Sequence, residues 1–189
     1  MSNVLEIEDL PRARIVRFTR LESRNALSAD VLDAIDEAIS TLGERALIFT
    51  GTGDIFASGA NLNEIAELTR EAAPEFARRG QALMSRIAEL ENKTVAAVNG
   101  FCFGGALDLA ISCDVRIASQ DAIFAHPGAG LGIITGWSGT QRLPRLIGTA
   151  KALEMFFTAE AVDAKTALTF GLIDEISDNP LESAIKLAR

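Results

Sequence analysis

Gly104, Gly105 and Asp108 are the residues whose types and spacing could do chemistry. They sit in residues 98–114, V-N-G-F-C-F-G-G-A-L-D-L-A-I-S-C-D, an apolar strand that breaks at glycine and restarts as a helix. The first amides of such a helix have no intrahelical acceptor and point outward as donors toward negative charge, and bare glycine lets a ligand approach them. Asp108 follows Gly105 by one helical turn, which puts its carboxylate on the donors' face. A donor pair and a carboxylate would then share one pocket. A plainer account also fits: a Gly-Gly helix start packed on a neighbour, with Asp108 a solvated first-turn residue favoured by the helix dipole. In the loop at 54–62, D-I-F-A-S-G-A-N-L, a glycine-containing bend lets consecutive amides point into a cleft, although a simple strand-to-helix loop reads the same way. His126, the single histidine, is either a proton donor or a hydrogen-bonded structural residue at a strand end.

Two other glycine clusters carry no such chemistry. Gly128, Gly130 and Gly132 have the wrong spacing for a dinucleotide fingerprint, and Gly136-Trp137-Ser138-Gly139-Thr140 misses the nucleophile elbow at its fifth residue.

The elements that must hold these residues follow from periodicity. Residues 4–9 and 13–19 alternate apolar and polar around Pro11 and predict a hairpin. Ser28 is a good N-cap for a helix that puts Val31, Ile35, Ala38, Ile39 and Leu42 on one face. A buried strand is expected at 45–50, a short helix at 61–68, and a longer one at 74–91 with Phe76, Leu83, Ile87 and Leu90 on its stripe. Strands follow at 94–98, 115–118 and 122–124. A glycine-rich passage opens at Pro127, helices are expected at 139–146, 151–157 and 163–170, a last strand at 172–176 and a last helix at 181–189. Short strands alternating with helices, without repeat or linker, predict a single α/β layered domain over residues 1–189.

Composition narrows the partners. Hydrophobic residues make up 48% of the 189 and the net charge is −8, so the basic face that nucleic acid or an anionic membrane needs is not expected. Two cysteines and one histidine assemble no zinc set, so no metal is expected. The first nine residues carry early acids and no signal-peptide core, and no apolar run reaches membrane-spanning length, which reads as cytoplasmic.

Four separated stretches then acquire meaning together: Arg24-Asn25-Ala26-Leu27-Ser28, F-A-S-G-A-N at 56–61, residues 99–114, and G-W-S-G-T-Q-R-L-P-R-L-I-G at 136–148. In this order the chain resembles the crotonase (enoyl-CoA hydratase/isomerase) family, from about Leu5 to its end. The resemblance implies a crotonase-like spiral of strand-strand-helix (ββα) turns with an acyl-CoA pocket. It makes the amides of Ala60 and Gly105 an oxyanion hole for a thioester carbonyl, and Asp108 the acid/base. Arg24, Ala26 and Ser58 fall near the CoA moiety, and Gly104, His126 and Gly128 are the other substrate-binding candidates. No cofactor is implied, because CoA is part of the substrate. The family continues into a helical region that is largely missing here, so the homotrimer or hexamer that the resemblance implies is expected to be weakened.

One departure bears on the reaction. Hydratases of this type use two glutamates, one at the position of Asp108 and one after the proline of the next motif, where this chain has Gly128. Concerted hydration needs one group to activate water and another to deliver a proton, and one of the two carboxylates is absent. The resemblance to naphthoate-synthase relatives with glycine at this position implies a water or a small anion such as bicarbonate in the gap, with Thr135 and Ser138 as polar neighbours. Restoring the carboxylate with Gly128→Glu is expected to raise hydration, unless the backbone or an acyl group needs the space. The leading expectation is an acyl-CoA enzyme of the hydratase/isomerase type; a decarboxylase of malonyl-type thioesters and a non-catalytic acyl-CoA-binding protein are the alternatives.

Overall fold

The central strands are apolar on both faces, and the fold follows from covering each face. The computed structural model describes residues 4–188. β1 (Leu5–Asp9) and β2 (Ala13–Phe18) form an antiparallel hairpin, and from β2 the sheet continues in parallel through β3 (Ala46–Thr50), β5 (Thr94–Val98), β7 (Val115–Ala118) and β10 (Glu175–Ile176). Val16, Phe18, Leu47, Phe49, Ala96 and Val98 face a large core shared with α1 (Ala29–Ser40). Their neighbours Ile15, Ile48, Val95, Ala97 and Ile117 face a smaller core, closed by Ala184, Leu181 and Ile185 of α8 (Pro180–Leu187). Burial on both sides is why these strands read as unbroken apolar runs.

A second sheet holds the candidate site. β4 (Ile55–Ala57), β6 (Phe101–Phe103) and β8 (Ile123–Ala125) run parallel, and β9 (Val162–Asp163) closes the edge antiparallel to β8. From β3 to β8 each turn of the spiral gives one strand to the first sheet and one to the second, then goes helical. α2 (Leu62–Ala66) and α3 (Ala73–Ala88) follow β4, α4 (Gly105–Ala110) follows β6, and a 3-10 turn (Pro127–Leu131) and α5 (Gly139–Ile147) follow β8. This is the expected ββα spiral; α6 (Thr149–Thr158) and α7 (Ala164–Phe170) pack on it afterwards. Among the described residues no helix is long and apolar enough to cross a membrane.

The corners between the sheets are tight. A Cβ on Gly51 would lie 2.0 Å from the Ile55 carbonyl oxygen, and one on Gly100 only 1.8 Å from that of Asp54, so backbone packs directly on backbone at both. Asn99 ties them together: its Oδ1 accepts from Gly51 N at 2.8 Å and its Nδ2 donates to Gly53 O at 2.9 Å. Phe56 of β4 meets Phe18 of the first sheet edge to face, with ring centroids 5.5 Å apart.

The hairpin and the α1 stripe stand as expected. β4 arises where the sequence reads as loop, β6 lies in the apolar run before Gly104, and β9 takes Asp163 from the start of the expected 163–170 helix, because strands of two or three residues carry no alternation and their partners come from distant turns. At 172–176 only Glu175–Ile176 pairs, while Leu172 and Ile173 drop into the core instead. α8 begins at Pro180, and Arg189 lies outside the described residues. Ser28 occupies the N-cap position of α1, but its hydroxyl turns to Asp30; the Ala29 amide is met by both oxygens of Glu64 at 3.1 Å.

The Gly100 corner gives a direct test. Gly100→Ala forces a methyl into the Asp54 carbonyl, which also accepts from Phe101 N at 2.9 Å. Overpacking of this kind costs about 1–3 kcal/mol, and a lowered urea midpoint with an unchanged m-value is the expected outcome.

Candidate active site

Two loops bring two amides together at the open end of the second sheet. β4 runs out into Ser58, Gly59 and Ala60. Only glycine fits at position 59, which takes φ +93° and where a Cβ would lie 2.5 Å from Phe103 O and 2.8 Å from Gly105 N. β6 runs out into Gly104, at φ +55°, ψ −122°, whose own amide is taken by Ala125 O at 2.9 Å. Gly105 then opens α4 with an N–H that has no intrahelical acceptor. A Cβ on Gly105 would stand 3.2 Å from Ala60 N and 2.5 Å from the Trp137 ring. The Ala60 and Gly105 backbones are therefore neighbours across the gap, held there by glycine.

Both line a cavity of about 520 Å³, and so do Arg24, Ala26, Ser58, Gly104, His126 and Gly128. Its remaining walls are largely apolar, with Ile65, Phe76, Ile133 and Trp137 prominent. The Arg24 side is anchored on β4. Arg24 and Asn25 both take φ +54°, Asn25 Nδ2 donates to Ile55 O at 2.9 Å and to Phe56 O at 3.2 Å, and Arg24 O accepts from Ser58 N at 3.0 Å. Two successive left-handed residues outside glycine are uncommon, and these hydrogen bonds offset their strain.

Asp108 is the exception among the expected site residues. It is 0% exposed and does not line the cavity; the segment from Thr135 to Gly139 folds over its carboxylate. Helical spacing could not reveal that segment. The Thr135 hydroxyl donates to Oδ2, and a Cβ on Gly139 would fall 2.1 Å from Oδ1. Burial drives the Asp108 pKa up to about 7 against the opposing pull of Thr135, the Trp137 and Gly139 amides and the Arg142 charge. His126 stands between this carboxylate and the cavity. Its Nε2 lies 3.5 Å from Asp108 Oδ1, its ring tilts against Phe156 with centroids 5.1 Å apart, and burial lowers its pKa to about 4. Neither Nε2 nor Oδ1 has a well-formed hydrogen bond. Among the described lining residues none is Asp or Glu, and Arg24 and His126 are the titratable ones.

Gly128 lines the wall, but the space behind it is filled. A Cβ there would meet Ile133 O at 2.5 Å, and Ile133 N donates back to Gly128 O at 3.0 Å. Glycine is set by the close return of the 127–133 loop, so Gly128→Glu must displace that loop before it can act. In the sequence Trp137 belongs to the 136–148 resemblance motif and to a rejected nucleophile motif, without a role of its own; its indole rests on Gly80 and Gly105 and forms the wall beside the paired amides.

With this geometry in view, the sequence profile described as Enoyl-CoA hydratase/isomerase matches residues 13–189. The chain belongs to the enoyl-CoA hydratase/isomerase family. It is 38% identical to a short-chain-enoyl-CoA hydratase of Clostridium acetobutylicum, across 93% of this chain and 69% of that protein. It is equally 38% identical to a crotonyl-CoA hydratase of Syntrophomonas wolfei, across 92% and 68%. The solved structure of Pseudomonas aeruginosa DspI matches with a TM-score of 0.92 at 32% identity, covering 99% of this chain and 79% of that one. The crotonase fold is thus shared across the enoyl-CoA hydratase/isomerase family, and the chain is an acyl-CoA enzyme of that type.

The buried carboxylate of this family member has a thermodynamic signature. Folding raises the Asp108 pKa from 3.8 to about 7, so the native state binds more protons than the unfolded chain in that window and loses this contribution as pH rises. Asp108→Asn removes that slope. Its melting temperature, relative to the parent, should therefore climb between about pH 4 and 7 and level off above, as read by calorimetry across that range.

Proposed function

We propose that the protein acts on acyl-CoA thioesters by stabilising a thioester enolate, with the Ala60 and Gly105 amides as the oxyanion hole. The observation that carries this is the approach of those two backbones at the wall of a largely apolar cavity. Removing a proton next to a thioester builds charge on the carbonyl oxygen, and fixed amides stabilise it without reorganising. Arg24, Ala26 and Ser58 on one side suit the polar CoA moiety, and Phe76, Ile133 and Trp137 suit a short acyl chain. The homotrimer or hexamer belongs to the same reading.

The absence of Asp and Glu from the described lining favours reactions that need no second carboxylate. A proton shift from a 3-enoyl to a 2-enoyl thioester fits, with Asp108 as the ionisable group behind the wall. Decarboxylation of a malonyl-type thioester is the second reading on the same ground, since departure of CO2 forms the enolate without a base. Crotonyl-CoA, named for the Syntrophomonas wolfei relative, is the hydration substrate to compare.

Calorimetric titration should give binding of butyryl-CoA, and turnover of 3-butenoyl-CoA should exceed hydration of crotonyl-CoA. No heat with any of these ligands at millimolar concentration overturns the proposal. Gly105→Ala sets a methyl 3.2 Å from Ala60 N and against Trp137. The N–H is kept but the amide pair is forced apart; since removing an oxyanion donor outright costs roughly 100- to 1,000-fold in kcat, a loss of kcat approaching that scale is expected, and a folded variant with parental kcat counts against the amide pair.

A further inference from the structure

We propose that His126 and Asp108 form a proton-carrying dyad, in which the imidazole meets the substrate at the cavity wall and the carboxylate behind it orients the ring and balances its charge. This rests on the acyl-CoA reading above. His126 is the catalytic residue of the pair and Asp108 a positioning residue acting through it.

The geometry sets the two groups against each other. Nε2 and Oδ1 are 3.5 Å apart, both are buried, and neither atom has a well-formed hydrogen bond, the Trp137 and Gly139 amides acting on the carboxylate from the 135–139 segment. Thr135 fixes the second carboxylate oxygen and Phe156 flanks the ring, so each side chain is held from its far side. His126 also follows Ala125, whose carbonyl accepts from Gly104 N at 2.9 Å. That bond joins the end of β8 to the start of the helix that presents the Gly105 amide. The histidine and the Gly105 donor are therefore set by one backbone contact.

For a 3-enoyl thioester the step balances within the site. The C2–H bond breaks, its proton passes to Nδ1, the imidazole nitrogen not directed at Asp108, and its electron pair forms a dienolate whose charge rests on the carbonyl oxygen. The imidazolium then returns the same proton to C4, the double bond settles between C2 and C3, and the enzyme is unchanged. Asp108, ionised 3.5 Å away, stabilises the transient imidazolium. The charged and titratable groups facing the pair are Arg142 of α5, which favours the ionised carboxylate, and Cys102 of β6, whose thiol burial and Asp108 keep protonated. Burial puts Asp108 at about 7 and His126 at about 4, so the ring is neutral and able to accept a proton once the carboxylate has ionised.

The test follows C2-proton exchange of butyryl-CoA in D2O by NMR, beside isomerisation of 3-butenoyl-CoA. The wild-type rate should rise with pH through about 7 and then level. His126→Gln should slow both by at least about 100-fold, the scale of a positioned acid/base, with butyryl-CoA binding retained. Asp108→Asn should lower kcat with little change in KM and abolish the limb near neutrality, which a merely structural role would not do. Parental exchange in a folded His126→Gln, a limb that persists in Asp108→Asn, or a wild-type rate that does not change through neutrality overturns the dyad alone. The last needs no variant. A wild type that binds no acyl-CoA removes the acyl-CoA reading and the dyad with it.

Discussion

Backbone lies against backbone wherever one turn of the spiral meets the next, and the candidate site depends on that contact. Gly59 sits on Phe103 O and Gly105 N, Gly51 on Ile55 O, and Gly100 on Asp54 O, each too close for any Cβ. The Phe18–Phe56 contact and the Asn99 bridge hold the two sheets at that spacing. The result is an amide pair whose separation is set by main chain and carries no rotamer freedom. Such preorganisation is what electrostatic stabilisation of a developing oxyanion requires.

Behind this rigid front the ionisable groups are arranged by exclusion of water. A carboxylate that is 0% exposed would ordinarily be paired with a cation or coordinate a metal. Here Asp108 has a hydroxyl, nearby amides and an imidazole. Burial pushes the acid up and the base down, so the imidazole is neutral at a pH where the carboxylate beside it is ionising. The same burial that weakens each group as a charge makes the pair useful near neutrality.

Much of this was legible in the residues, and the failures share a cause. The α1 stripe Val31, Ile35, Ala38 and Ile39 and the two-sided strands β3 and β5 follow from periodicity, because every repeat faces the same neighbour. The glycines that carry the site were legible through motif, since only glycine tolerates that approach. Missing were features decided by segments far away in sequence. β4 and β6 are strands only because they pair with one another across more than a helix, and Ser28 loses its capping role to Glu64, thirty-six residues on by number. Asp108 is on the helix face that spacing predicts, yet Thr135 and Trp137, from the next turn of the spiral, decide that this face is dry.

The smaller core on the far side of the first sheet has an implication for solubility. Ile15, Ile48, Val95, Ala97 and Ile117 come from four neighbouring strands, yet among the described residues the one helix that covers them is α8 at Pro180–Leu187. Any detachment of α8 therefore bares one continuous aliphatic surface across all four strands, a patch of the kind that drives self-association.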